Sequence, residues 1–357
     1  VSLLEEESYL KFEDVSNWMC SSFQGKRILS YDLLNNKINI FNNLFKNLVN
    51  YQIVDINLIF RDIGKSSEIL ENLNKFENNF KFYKFGKQII NNLLKHNLML
   101  LDQLIRKIKE YDQIYFLDNL SNLVNITNSF QMGGFRLEYL SSKFFKSHWN
   151  KKQGNIIHPE YSLYNLSGRL SSRSPTFNCL GIPKGLPRKE MKALGDFFLY
   201  FDYIGFESTL VLNIIKKEYK LETIKIKDDI YSFFQQEIFR DIDRESIKQF
   251  MNSYLYGAGD FLLKKYIPDM KMINSFRDHE IIKNFEKLMN NVYEKWLDTK
   301  FIKTPNGRNF KVPYSKDIHR GKIFNFYVKS TGTELITWRL GEVRKLLENK
   351  KSSFSLF

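Results

Sequence analysis

Arg244, Lys248, Asn252 and Tyr256 recur at every fourth position between Asp243 and Gly257. At 3.6 residues per helical turn they line up as one slowly drifting stripe. Asp243 is a good amino-terminal cap and Gly257 a good close, so the stretch reads as one helix. Cations in a first helical turn oppose the macrodipole. An Arg and a Lys placed there point to a bound anion, held by guanidinium, ammonium and helix terminus together, and a polyphosphate is the natural candidate. The same spacing also describes a solvated basic face. A second candidate is Asp202. It ends the apolar run Phe197-Phe198-Leu199-Tyr200-Phe201, which has buried-strand length, and a helix spaced by Phe206, Leu210, Val211 and Ile214 follows. An acid at a strand end beside a helix start is a usual place for a metal ligand, although a simple cap would look the same. The histidines, His96, His148, His158, His279 and His319, show neither ligand nor triad spacing.

A chain of 357 residues exceeds one ordinary core, so several lobes must position these groups. With 17 Gly and 7 Pro, long helices and few loose linkers are expected. The excess of 54 Lys and Arg over 40 Asp and Glu gives a net charge of +14, which favours a polyanionic partner without choosing DNA over RNA or membrane. Cys20 and Cys179 are the two cysteines, so neither a disulfide framework nor a cysteine zinc site is indicated, and a reducing compartment fits. No apolar run is long enough to span a bilayer and no signal peptide is visible. The absence of an initiating Met is read as a fragment or a trimmed chain.

Residues 1–118 alternate strand-like runs, such as Lys26 to Tyr31, with helical ones, such as Ile38 to Leu48 and Gln88 to Ile108. This is an α/β pattern. Leu120 to Leu140 reads as a core helix ending at the glycines Gly133 and Gly134. Phe301 to Val312 reads as a hairpin with an Asn306-Gly307 turn. Ser330-Thr331-Gly332-Thr333 is expected to start a helix carrying Leu335, Ile336 and Leu340, and Ser353 to Leu356 to begin a strand.

Three stretches, in order, resemble the family A DNA polymerases of the bacterial DNA polymerase I type. Gly168-Arg169-Leu170-Ser171-Ser172 resembles the Thr-Gly-Arg-Leu-Ser-Ser box. Asp202-Tyr203-Ile204-Gly205-Phe206-Glu207 resembles motif A, and Arg244, Lys248, Tyr256 and Gly257 match motif B, the nucleotide-binding helix of the fingers. The resemblance implies an α+β right-hand polymerase fold. A degenerate α/β 3'–5' exonuclease-like region (1–118) would precede a shortened thumb (119–166), a palm with motif A (167–215), fingers with motif B (216–300) and a returning palm segment (301–357). It further implies template-directed DNA synthesis on primer–template DNA with dNTPs and two Mg2+ ions. Asp202 and the Tyr203 carbonyl would be metal ligands, and Asp202 and Lys248 the catalytic residues. Arg244, Lys248, Asn252, Tyr256, Tyr231 and Arg188 would meet the nucleotide, with Glu207, assisted by Tyr256, excluding the ribose 2'-OH. Arg169, Ser171 and Arg308 would meet DNA.

Departures from the family pattern accompany the matches. Tyr231 stands where Asp-Ile-His carries its His; it can donate one hydrogen bond to phosphate but cannot become cationic near neutral pH. Asn252 replaces a Phe or Tyr, and Thr331 a Gln. Asn36 and Asn97 replace exonuclease acids, and since an amide cannot supply an anionic ligand, no nuclease activity is expected. Motif C, with the second metal-binding Asp, is expected after the strand at 353–356 and is not in these residues. Two other readings stay open: a single-subunit RNA polymerase, and a catalytically degenerate polymerase-fold DNA-binding protein. A soluble compartment, bacterial or phage-host cytoplasm before organelle, is the expected location.

Overall fold

The computed structural model describes residues 27–30, 52–55, 122–127, 130, 133–137 and 145, and residues 156–349 apart from 164, 173–177, 184, 222–225, 227–228 and 316–317. Asn36, Asn97 and the expected strand at 353–356 lie outside them. Near the amino terminus β1 (Arg27–Ser30) pairs in parallel with β2 (Gln52–Asp55). Parallel neighbours need a long crossover, in keeping with an α/β order.

Leu123, Val124 and Ile126 are buried on helical residues 122–127. The chain turns at Gly134 into β3 (Phe135–Leu137), which pairs antiparallel with β4 (Ile156–Ile157). β5 (Tyr161–Ser162) pairs with β6 (Ser171–Ser172). After the short helix α1 (Leu186–Glu190), β7 (Met191–Lys192) returns to the other edge of β3. Phe135, Leu137, Phe145, Ile157 and Ile182 fill a small core there.

Helices build the larger lobe: α2 (Phe206–Tyr219), α3 (Ile230–Glu237), α4 (Arg244–Leu255), α5 (Asp260–Leu263), α6 (Met270–Asp278) and α7 (Glu280–Thr299). Their starts follow from the sequence. Asp229, Asp243, Asp269 and His279 each accept a hydrogen bond from a backbone N–H of the turn they open, satisfying donors that the helix itself cannot. The hairpin β8 (Phe301–Lys303) and β9 (Asn309–Lys311) follows, then α8 (Arg320–Asn349), which packs on α2 and α7. At the centre the Phe276 ring meets Phe234, Phe239, Phe250 and Tyr254, with centroids 4.9, 5.7, 5.0 and 5.2 Å away.

Several expectations change. Phe197 to Phe201 is not a buried strand: its residues are 42–84% exposed, and no strand among the described residues lies beside it. A strand is completed by its ladder, and a run without one remains irregular however apolar it is. Helix α8 begins ten residues before Ser330. The Thr331 and Thr333 hydroxyls donate to the carbonyls of Tyr327 and Lys329 one turn back, inside a continuing helix, rather than capping a new one. In the hairpin, Gly307 N–H bonds Thr304 O at 3.1 Å and Thr304 N–H bonds Arg308 O at 2.9 Å, leaving Pro305, Asn306 and Gly307 as the loop. Pro305 fits the second position of such a turn, so Asn-Gly closes a longer loop than a two-residue turn.

His279 supplies a pH test of this packing. Its Nδ1 accepts from Ile281 N–H at 3.2 Å while its ring lies against Phe233 and Phe234. Burial pulls its pKa below the ordinary histidine value, against the opposing pull of Glu237 and Glu280. The unfolded chain therefore takes up the proton first. Stability is full above the unfolded pKa and falls as pH drops from about 6.5. His279→Asn, which can still cap, should flatten that slope in urea titrations between neutral and mildly acid pH; an unchanged slope would place the titration elsewhere.

Candidate functional site

Helix α4 carries the basic stripe on a face held by α2 and α3. Asp243 Oδ1 accepts from Ser246 N–H at 2.9 Å, and the helix closes at Gly257, whose φ is 82°. The Arg244 guanidinium donates from Nε and Nη2 to Asp229 Oδ2, at 3.2 and 2.9 Å, and lies 5.5 Å from the Tyr231 ring centre. Asp229 also accepts from the N–H groups of Tyr231 and Ser232. Burial would raise its pKa, but the bonds from Arg244 and Ser232 outweigh it and hold the carboxyl below the usual range. Lys248 Nζ sits 3.2 Å from both oxygens of Glu245, an exposed pair of the kind worth little, so an incoming anion can displace it.

Tyr231 and Asn252 answer to each other. The Tyr231 hydroxyl is 3.4 Å from Asn252 Oδ1 and 3.1 Å from Ser208 Oγ, and the residue is 3% exposed. Tyr231, expected at phosphate, here ties α3 to α2 and α4, and its hydroxyl shares the Asn252 oxygen expected at the sugar. The Tyr256 hydroxyl is buried without a hydrogen-bond partner among the described residues, and Lys329 Nζ lies 5.4 Å from its ring centre. Glu207, expected to work with Tyr256 at the sugar, lies on the first turn of α2. In the structure it pairs with the Arg169 guanidinium, a charge-assisted contact.

Arg169 leaves a tight turn in which Asn165 Oδ1 accepts from Ser167 N–H and Oγ, at 3.0 and 2.9 Å. Ser171 sits in the β5–β6 pair, its hydroxyl 3.4 Å from Ser162 O. Arg188 is exposed on α1, with Nε donating to Ile182 O at 3.3 Å. Arg308 is 4% exposed, donates from Nη2 to Leu166 O at 2.8 Å and lies 4.4 Å from the Phe310 ring centre. The guanidinium expected at DNA is here enclosed and clamps the turn before Arg169.

Asp202 and Tyr203 lie exposed on the irregular segment after the apolar run, not on a palm strand. Among the described residues no three His, Cys, Asp or Glu side chains gather as a metal site. A single exposed carboxylate does not match the donor set of a two-magnesium centre. The structure does bring Arg169, Glu207, Ser208, Asp229, Tyr231, Arg244 and Asn252 into one polar seam. Asp229 and Ser208 were not singled out as site residues from the sequence. The pairing of Asp229 with Arg244, 15 residues on, crosses between helices and has no period by which the sequence could show it.

No family model matches the chain, and no curated protein matches it. Among solved structures it is similar to the POL domain of Pol1 from M. smegmatis, in complex with DNA primer-template and dNTP, at 15% sequence identity and a TM-score of 0.46. The match covers 95% of this chain and 55% of that one, so the chain spans a little over half of the solved chain's length. No helix among the described residues is long and apolar enough to cross a membrane.

Proposed function

We propose that this chain belongs to a template-directed DNA synthesis machine of the right-hand polymerase type, and that the amino end of α4 binds the phosphates of an incoming dNTP. The observation that carries the reading is the convergence of four segments far apart in sequence: the turn before Arg169, the start of α2, the start of α3 and the stripe of α4. Arg244 and Lys248 neutralise and orient the polyphosphate. Glu207 and Tyr256 border the sugar, and Arg169 addresses the primer terminus. The protein's part in such chemistry is mostly positioning and charge neutralisation.

A second reading, a polymerase-fold DNA-binding protein without catalysis, is favoured by the position of Asp202, exposed on an irregular segment rather than at a strand end. Titration with a fluorescent dATP in the presence of magnesium addresses the nucleotide site directly. Lys248→Ala should weaken dATP binding about tenfold or more, as expected for a lost charge-assisted bond, while primer–template affinity stays as in the parent. Equal losses for both ligands would move Lys248 onto the duplex and remove the nucleotide reading.

A further inference from the structure

We infer that Arg308 is a positioning residue whose task is to aim Arg169 at Glu207. The two arginines belong to segments far apart in sequence, and neither the charge pattern nor the spacing of either connects them. Arg308 reaches across at the turn that precedes Arg169. Its Nη2 donates to Leu166 O at 2.8 Å, and its guanidinium lies over the Phe310 ring at 4.4 Å, with 4% of the residue exposed. The Leu166 carbonyl belongs to the turn closed by the 2.8 Å bond from Gly168 N–H to Asn165 O.

Gly168 makes this approach possible for two separate reasons. Its φ is 77°, a conformation that side chains other than glycine adopt at a cost. A Cβ there would stand 2.7 Å from Arg308 Nη1. The turn is thus shaped around the guanidinium, and the next residue after Gly168 is Arg169, which pairs with Glu207 on α2. Arg308 is in turn held from its own side: its N–H bonds Thr304 Oγ1 at 3.1 Å within the hairpin loop. The chain of constraint runs from hairpin to turn to Arg169 to the first turn of α2. Lysine cannot replace Arg308, because an ammonium has no planar fork to stack on Phe310 while bonding the carbonyl.

The use of Arg169 at DNA rests on the proposed function; the positioning does not, and two readouts separate them. The first is the coupling between Arg169 and Glu207 in unfolding equilibria, from Arg169→Ala, Glu207→Ala and the double variant. It should be about two- to fivefold in the unfolding constant, the range of partly exposed ion pairs. The coupling should vanish when the same cycle is built on Arg308→Lys, and also on Gly168→Ala, which leaves Arg308 itself intact. A coupling that persists in either background, or none in the parent, overturns the inference. A merely structural Arg308 would lower the melting temperature and leave the coupling untouched. The second readout is primer–template affinity. Arg169→Ala and Arg308→Lys should each weaken it about tenfold, the double variant no further than Arg169→Ala alone. Multiplying losses would overturn the inference by placing Arg308 on the DNA independently. Vanished coupling with duplex affinity unchanged in Arg169→Ala would uphold the positioning and sink the DNA reading instead.

Discussion

Phe276→Ala should destabilise the helical lobe by about 3–5 kcal/mol, the range for truncating a fully buried aromatic residue. Phe276 is 1% exposed and touches four other rings, which come from α3, the loop after it, and α4. Removing it leaves Phe234, Phe239, Phe250 and Tyr254 each short of a partner at once. Collapse has little to draw on, because Phe276 already borders a small, partly open apolar pocket, lined also by Val211, Leu212, Met251, Tyr254 and Phe285. Equilibrium urea unfolding measures the loss; a change below about 1 kcal/mol would show that this core rearranges freely. Phe276→Leu, which keeps most of the volume, should cost much less.

Gly321→Ala is the second large effect, and here the sign has to be decided. Alanine is the better helix former by about 1 kcal/mol, so on propensity alone the change should stabilise α8. Packing opposes it. A Cβ at this position would stand 2.8 Å from the Tyr256 carbonyl carbon and 3.0 Å from the Gly257 Cα. Those are backbone atoms at the end of α4, which cannot swing aside as a flexible side chain would. Overpacking of this kind costs about 1–3 kcal/mol, so the net result should be destabilising. The displaced element is the carboxyl end of the helix that carries the stripe, so dATP binding should weaken as well. A stabilised Gly321→Ala protein with parental dATP affinity would mean that the two backbones do not meet so closely in solution.

Local signals were legible where one element contained all the information. Helix α4 shows this best: cap, four-residue stripe and closing glycine lie within Asp243 to Gly257, and the structure follows them. The motif segments also meet, although their order along the chain says nothing about distance. Failures occurred where the answer lay in a distant partner. Phe197 to Phe201 has the composition of a buried strand, yet a continuous apolar run carries no period, and its fate is set by whether another strand runs alongside. Arg308 was placed at DNA through the resemblance of Gly307, Arg308 and Pro313 to a family segment; its bond to Leu166 O, 142 residues away, leaves no trace in that local pattern. Tyr231 and Asn252 each look like a loss of function when considered alone. Their hydroxyl–amide contact, across 21 residues and two helices, joins them in one interaction that neither position reveals by itself.

Helix α8 meets its neighbours through glycine at three heights. Gly321 abuts the end of α4, Gly332 faces the Phe206 ring at the start of α2, and Gly341 faces the Asn122 side chain. At about 100° per residue the first two lie on nearly one side of the rod and the third on the other. Rolling the rod about its own axis would drive a bulkier residue into each of these gaps together. With about 45 Å of length at 1.5 Å per residue, it behaves as a keyed shaft. It is free to travel only with the pieces it locks, and amide exchange along the middle of the shaft should be slow.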